Sequence, residues 1–170
     1  MDDNTARAMA ALTTGIYVLT VAEDGRAHGM SSSWVTQVSG EPPLVMAAID
    51  RGHLSNAMVA RAGGFALNVV GSRAKHLEDY FYSERARRPH NLDTIEYDLS
   101  PALGMPWLRD AMVSMEVRVR DSREAGDHTL FIGEPTAVRL AHQDRPLTSL
   151  ELDYVYVGGR QVIPRDRTGW

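Results

Sequence analysis

HGMSSSWVTQVSGEPPLV, residues 28–45, carries five serine or threonine hydroxyls and one amide in a stretch with the outline of a strand. A buried strand would carry Val and Ile at most of these positions. Alternate residues of a strand face opposite sides. One face would hold Met30, Ser32, Trp34, Thr36 and Val38, and the other Ser31, Ser33, Val35, Gln37 and Ser39. Neither face is apolar enough to be pure core. Pro42-Pro43 then forces a corner, because neither proline can donate to a ladder.

The rest of the chain builds outward from that stretch. Before it, 16–21 reads as a strand and Glu23-Asp24-Gly25 as a hairpin turn, so that 27–38 is the returning strand. After it, 44–49 is apolar on both faces and reads as a central strand. A short Ala-rich helix is expected over 5–12, with Asp2, Asp3 and Asn4 as available caps and Gly15 beyond its end. A second helix is expected over 54–61, stopped by Gly63-Gly64, and a third over 72–82, capped by Ser72. Residues 65–70, 111–119, 130–140 and 152–157 read as strands, with 130–140 broken at Gly133 and Pro135. Residues 83–108 contain three prolines and little periodicity, as expected of a meandering segment that covers a site. Six or seven strands with two or three helices, in an order that does not alternate β and α, disfavour a doubly wound parallel sheet. They predict a mainly β fold, a closed or split antiparallel barrel with peripheral helices.

Composition narrows the function. The chain has 170 residues, enough for one domain with a real core, and is 44% hydrophobic and 24% charged. Its formal net charge of −4 argues against a nucleic-acid partner, whose phosphates require a basic patch. There is no cysteine, which excludes disulfides, thiolate metal sites and a cysteine nucleophile. No apolar run is long enough to span a bilayer, and MDDNTARAMA lacks the basic-then-apolar order of a signal peptide. A single cytoplasmic domain over 1–170, with no membrane association, is the expectation.

Three stretches offer chemistry. In the hydroxyl strand, small polar side chains let a flat ligand approach the backbone while hydroxyl and N–H groups meet its heteroatoms, a suitable wall for a flavin. An edge strand with serines facing water accounts for the same residues and, for the strand alone, carries more weight. In DRGHLSNAM, residues 50–58, Arg51 and His53 precede a helix start that offers Ser55; free N–H groups, the helix dipole and a cation together suit a phosphate. A solvated arginine and a capping serine are the plain alternative. In Gly126-Asp127-His128 a turn glycine presents Asp and His where a strand begins; the histidine could contact a second ligand and the aspartate fix its tautomer, or both could simply belong to a hairpin turn. The six histidines do not fall at metal-ligand spacing, and no metal site is expected. GxSxG, P-loop, HExxH and GxGxxG motifs do not occur.

Taken together, the stretches resemble the flavin reductase-like family with the FMN-binding split-barrel fold. They are TGIYVLT (14–20), GMSSSWVTQVSGEPPLV (29–45), the loop from Arg51 to Ser55, GGFALNVV (63–70), GMPWLRDAMVSMEV (104–117), GDHTLFIGE (126–134) and LDYVYVGGR (152–160). Each is loose alone, and the ordered set spans nearly the whole chain. The resemblance implies a Greek-key-like barrel, a homodimer with flavin near the subunit interface, and hydride transfer from NADH or NADPH to FMN or FAD. It implies that Ser31, Ser32, Ser33 and Trp34 contact the isoalloxazine and that Gln37, Val38 and Ser39 lie toward the ribityl chain. Arg51, His53 and Ser55 would complete the phosphate site, and Asp127 and His128 would meet the nicotinamide nucleotide. The chemistry would be the flavin's, with no catalytic side chain required.

The chain departs from the family pattern in places. Trp34 stands where many members carry a small hydroxyl residue, and Val117 where a cysteine is common. Gln37 and the GIYVLT opening are also similar to the flavoredoxin-type branch. Three functions therefore remain at this level: a reductase that supplies a flavin-dependent oxygenase, a flavin-bound electron carrier, and a flavin- or tetrapyrrole-binding module without turnover.

Overall fold

The computed structural model describes residues 1–82, 91–159 and 161–165. Its centre is a seven-stranded antiparallel sheet. The strands are β1 (Tyr17–Glu23), β2 (Arg26–Ser32), β3 (Val35–Gly40), β4 (Pro43–Asp50), β5 (Gly64–Val69), β8 (Val113–Ala125) and β9 (His128–Leu140), arranged β2-β1-β5-β8-β9-β4-β3. The two edges, β2 and β3, are consecutive in the chain and joined only through Ser33 and Trp34. Seven strands laid flat would separate the edges by roughly 29 Å. The three residue steps from Ser32 to Val35 reach at most about 11 Å. The sheet must therefore roll until its edges meet, and the result is a barrel split between β2 and β3.

This topology corrects the expected single strand over 27–38. Ser31 and Ser32 pair with Val18 and Tyr17 of β1, whereas Val35 pairs with Ala47 of β4. Ser33 and Trp34 make the crossing, and the Trp34 carbonyl accepts from the Ala48 N–H at 2.9 Å. The alternation of faces consequently does not run through the whole stretch.

Local chemistry sets the remaining turns. β1 and β2 are joined by Asp24-Gly25 with φ of 47° and 74°, the two positive values of a type I′ hairpin. Leu19 and Val21 of β1 join Ile49, Phe65, Leu67, Val117 and Phe131 in one buried cluster, to which α2 (Leu54–Ala62) adds Met58 and Val59. Val18 instead joins Leu77 and Phe81 of α3 (Lys75–Tyr82) in a second cluster. β1 is thus apolar on both faces because it is covered on both. In β9 the sequence breaks do not end the strand. Two register shifts in the β8–β9 ladder absorb them, with Thr136 the extra residue on β9, beside Pro135, and Arg120 the extra residue on β8. Gly133 allows the close crossing: a Cβ there would stand 2.5 Å from Val117 Cγ1 and 2.8 Å from the Arg118 carbonyl.

Four short strands lie outside the barrel. β6 (Tyr97–Leu99) pairs with β7 (Pro106–Leu108), and β10 (Tyr154–Gly158) pairs with β11 (Gln161–Pro164). α1 (Asp3–Ala10) is capped by Asp2, whose carboxylate accepts from the Thr5 N–H at 3.0 Å, and packs Ala6 and Ala10 on Val157 of β10. Ser72 does not cap α3. A 3₁₀ turn over Ser72–Ala74 precedes the helix, and Asp144 accepts from both the Arg73 N–H and the Ser72 hydroxyl at 2.9 Å. Those bonds, the backbone one foremost, hold the Asp144 pKa down at about 2. Part of the irregular segment expected over 83–108 falls on 83–90, outside the described residues. Among the described residues no helix is long and apolar enough to cross a membrane.

Two buried polar side chains hold the scaffold. Asn68 of β5 donates from Nδ2 to the Val18 carbonyl and Thr20 Oγ1, both at 3.1 Å, and accepts from the Leu108 N–H at 2.9 Å and Ser114 Oγ at 2.8 Å. One amide thereby ties β1, β5, β7 and β8. Glu116 of β8 accepts from Ser100 Oγ, the Ala102 N–H at 3.1 Å, the Leu103 N–H at 2.7 Å and Thr136 Oγ1 at 2.6 Å. Burial acts to raise the Glu116 pKa, and the four donors outweigh it and hold it below the ordinary value. Glu116→Gln removes the charge and turns an N–H₂ toward donors, leaving buried N–H and O–H groups unpaired. We expect a loss of roughly 2 kcal/mol in urea denaturation at neutral pH. A depressed folded pKa contributes stability above the unfolded value of about 4.3 that disappears as pH falls through the folded one. The difference between wild type and Glu116→Gln should therefore shrink in acid.

Candidate functional site

The split in the barrel opens into a cleft of about 620 Å³. One wall is the hydroxyl run, with Ser31 and Ser32 at the end of β2 followed by the connecting Ser33 and Trp34. The opposite side comes from the turn after β4, with Asp50 and His53, and from His128, which opens β9 directly across from Asp50. The rim comes from α3, with Glu78, Phe81 and Tyr82, and from β10, with Tyr154 and Tyr156. The small side chains of Ser31, Ser32 and Ser33 keep this wall low.

Trp34 sits between His128 and Tyr156, with ring centroids 4.6 Å and 5.5 Å away. The indole therefore joins the crossing to both β9 and β10 and closes one end of the cleft. His128 is 5% exposed, and its Nδ1 lies 2.6 Å from Asp127 Oδ1. A carboxylate only accepts, so Nδ1 carries the proton in this contact, and the tautomer that it selects has its lone pair on Nε2. The same hydrogen bond holds the Asp127 carboxyl below the usual range. The Asp127 carbonyl also accepts from the Arg51 N–H at 3.0 Å, which ties the turn after β4 to the start of β9.

His53 is the N-cap of α2, and its Nδ1 accepts from the Ser55 N–H at 3.2 Å. Ser55 is fully buried, and its hydroxyl has no hydrogen-bond partner. A buried hydroxyl without a partner carries a desolvation cost that only an incoming polar group can relieve. It stands in the first turn of α2, where the N–H groups and dipole favour an anion.

Of the residues singled out from sequence, Ser31, Ser32, Ser33, Trp34, His53 and His128 line the cleft. Asp127 supports His128 from outside it, and Ser55 lies behind His53 at the helix start. The exposed Arg51 guanidinium pairs with Glu124 at 2.9 Å. Gln37, Val38 and Ser39 belong to edge strand β3 and are not among the lining residues. There the Gln37 Nε2 donates to the Ser39 carbonyl at 3.0 Å, and Val38 is 47% exposed.

The sequence reading missed Glu78 and Tyr154. Glu78 is 2% exposed and accepts from Ser31 Oγ and, at 2.8 Å, from the Tyr154 hydroxyl. Burial raises its pKa, against the lowering effect of those two bonds. Tyr154, itself pushed up by burial and by the Glu78 charge, stacks on Tyr82 with centroids 4.4 Å apart. A signal for Glu78 was available. Ala74, Leu77 and Phe81 fall on one helical stripe, and Glu78 is the lone charge on it.

The cleft's size fits a flat heteroaromatic ligand, and the helix N-terminus behind His53, with the orphaned Ser55 hydroxyl, suits a phosphate. Comparisons with known proteins point the same way. The NADH-dependent flavin reductase StyB of Pseudomonas fluorescens is 33% identical over 141 residues, covering 82% of this chain and 79% of that protein. The NADH-dependent FMN reductase AsuE2 of Streptomyces nodosus subsp. asukaensis is 38% identical over 130 residues, covering 75% and 69%. Among solved structures, the flavin reductase PheA2 superposes with a TM-score of 0.72 at 29% identity, covering 87% of this chain and 93% of that one. BorF, the flavin reductase component of a bacterial two-component tryptophan halogenase, shares the fold with a TM-score of 0.77 at 23% identity, over 87% and 93%. The model of the flavin reductase like domain matches residues 9–160, and the chain belongs to that family.

Proposed function

We propose that this chain, as one domain over 1–170, is an NAD(P)H-dependent flavin reductase that supplies reduced FMN or FAD to a partner oxygenase. The observation that carries the reading is the cleft on the barrel seam. Its wall is the Ser31–Trp34 run, with His53 and His128 across from it, and the buried Ser55 hydroxyl, unpartnered among the described residues, lies behind His53 at the start of α2. The names of the relatives support the activity, and that of BorF supports a two-component arrangement. The absence of cysteine is in keeping with a cytoplasmic setting. Exposed Val38 on β3, with Val138 and Leu140 on β9, supports a homodimer that covers them.

Bound flavin supplies the redox chemistry, taking a hydride, two electrons and one proton, from the nicotinamide. The protein's part is placement. The low wall at Ser31–Ser33 gives backbone access to a ring, and the α2 N-terminus with Ser55 receives a phosphate. His128, fixed by Asp127 with a lone pair on Nε2, accepts from an amide N–H such as that of a carboxamide. This last group favours the reductase over a pure electron carrier, which needs no nicotinamide site.

The first test is an anaerobic absorption spectrum with FMN, then NADH, then NADPH. Rapid bleaching of the flavin band is expected; flavin that binds and stays yellow would replace the reductase with the carrier. Ser55→Ala should lower FMN affinity by roughly tenfold while leaving riboflavin binding unchanged, as calorimetric titration of both would show. The same substitution removes an unsatisfied buried hydroxyl, so the flavin-free variant should be about 1 kcal/mol more stable than wild type. His128→Ala should raise the KM for the nicotinamide nucleotide by roughly tenfold and leave flavin affinity near wild type in steady-state and binding assays.

A further inference from the structure

Glu78 is a buried carboxyl in the lining of the cleft. It is 98% removed from solvent by the packing of α3, since 2% of it is exposed. Its two hydrogen-bond donors, Ser31 from β2 and Tyr154 from β10, are neutral hydroxyls. The charged groups on its own helix do not pair with it: the Lys75 ammonium bonds Asp79 at the other end of an i,i+4 pair. Asp79 acts on Glu78 as a like charge and Lys75 as a weaker opposite one, and the titratable hydroxyls nearest it are those of Tyr82 and Tyr154. The cleft wall thus holds a carboxylate without a cationic partner among the described residues, in surroundings that screen charge poorly.

Hydride transfer takes two electrons and a proton from NAD(P)H, leaving NAD(P)⁺. The ring that receives them gains an N–H at N5 and a negative charge centred near N1. The oxidised ring is neutral. A fixed negative charge in the wall therefore acts differently on the two forms, while the phosphate charge is common to both. Ser31 and Tyr154 cannot compensate, because each hydroxyl has one proton and gives it to Glu78.

We propose that Glu78 is a positioning residue whose buried carboxylate, together with the two hydroxyls it orients, makes the cleft bind reduced flavin more weakly than oxidised flavin and so promotes its release to a partner. The role rests on the flavin reading of the cleft. A ligand can shift between two states only through a difference in affinity for them, and this carboxylate supplies such a difference.

The test is the ratio of dissociation constants for reduced and oxidised FMN, measured by anaerobic fluorescence titration, with the midpoint potential of the bound flavin as an independent readout. At mildly alkaline pH, wild type should hold reduced FMN more weakly than oxidised FMN. Glu78→Gln keeps the shape and removes the charge, and should bring the ratio down by roughly tenfold or more. A tenfold change is about 30 mV in the midpoint potential of a two-electron couple. A second variant works through the titration itself. Glu78 has a raised pKa, so its charge and the wild-type preference should disappear as pH falls through that value. Tyr154→Phe deletes a bond that lowers the pKa and should move this transition to higher pH. If Glu78→Gln changes both affinities equally, or neither, the carboxylate is only a packing element and the proposal is overturned. If wild type binds neither form of FMN, the flavin reading itself fails and takes this role with it.

Discussion

Two residues, Ser33 and Trp34, join the opposite edges of a seven-stranded sheet, and the rest of the structure follows from that covalent constraint. A flat sheet cannot satisfy it. Rolling the sheet puts Leu19, Phe65, Leu67 and Phe131 inside and leaves α3 to cover the outside of β1. It also brings β2 to the same place as the end of β4 and the start of β9. The cleft is the seam of that closure, and its hydroxyl-rich wall is the closing link itself.

Buried polar groups divide into two kinds. Asn68, with five partners, and Glu116, with four, are fully satisfied, and their role is to fix strands against one another. Ser55 and Glu78 are not brought to balance in the same way. Among the described residues the Ser55 hydroxyl has no partner, and the Glu78 carboxyl has donors but no countercharge. Glu78 lines the cleft and Ser55 lies behind His53, which does. Unrelieved polarity is not confined to this region, since Trp107 Nε1 and Arg139 Nε are also buried without a partner among the described residues.

Local signals were the most legible in the sequence. Asp24-Gly25 specified its hairpin because only a few residue types accept two successive positive φ values, and the hydroxyl run did turn out to wall the cleft. Long-range geometry was not legible. The stretch 27–38 reads as one strand because nothing local to Ser33-Trp34 tells a strand from a crossing between two edges. Gly133 and Pro135 read as breaks, yet the strand continues because its ladder with β8 takes one extra residue on each strand, Thr136 and Arg120. Ser72 was a sound cap by type, and it lost that place to Asp144, a residue more than seventy positions away. Glu78 was hidden because a charge on a helix is usually solvated, and its position on the stripe of Ala74, Leu77 and Phe81 was the sign that this one is not.

A binding wall that is also a seam cannot diversify like a loop carried on a finished scaffold. Any change at Ser33 or Trp34 alters both the surface offered to a ligand and the span that keeps the barrel rolled. The rim is different. Tyr82 on α3 and Tyr154 and Tyr156 on β10 reach the cleft from elements outside the barrel's hydrogen-bonded ladder. Evolutionary drift in this architecture should therefore be uneven across one pocket: slow along the link, where folding polices every substitution, and rapid along the rim, where new ligand preferences can arise without reopening the barrel.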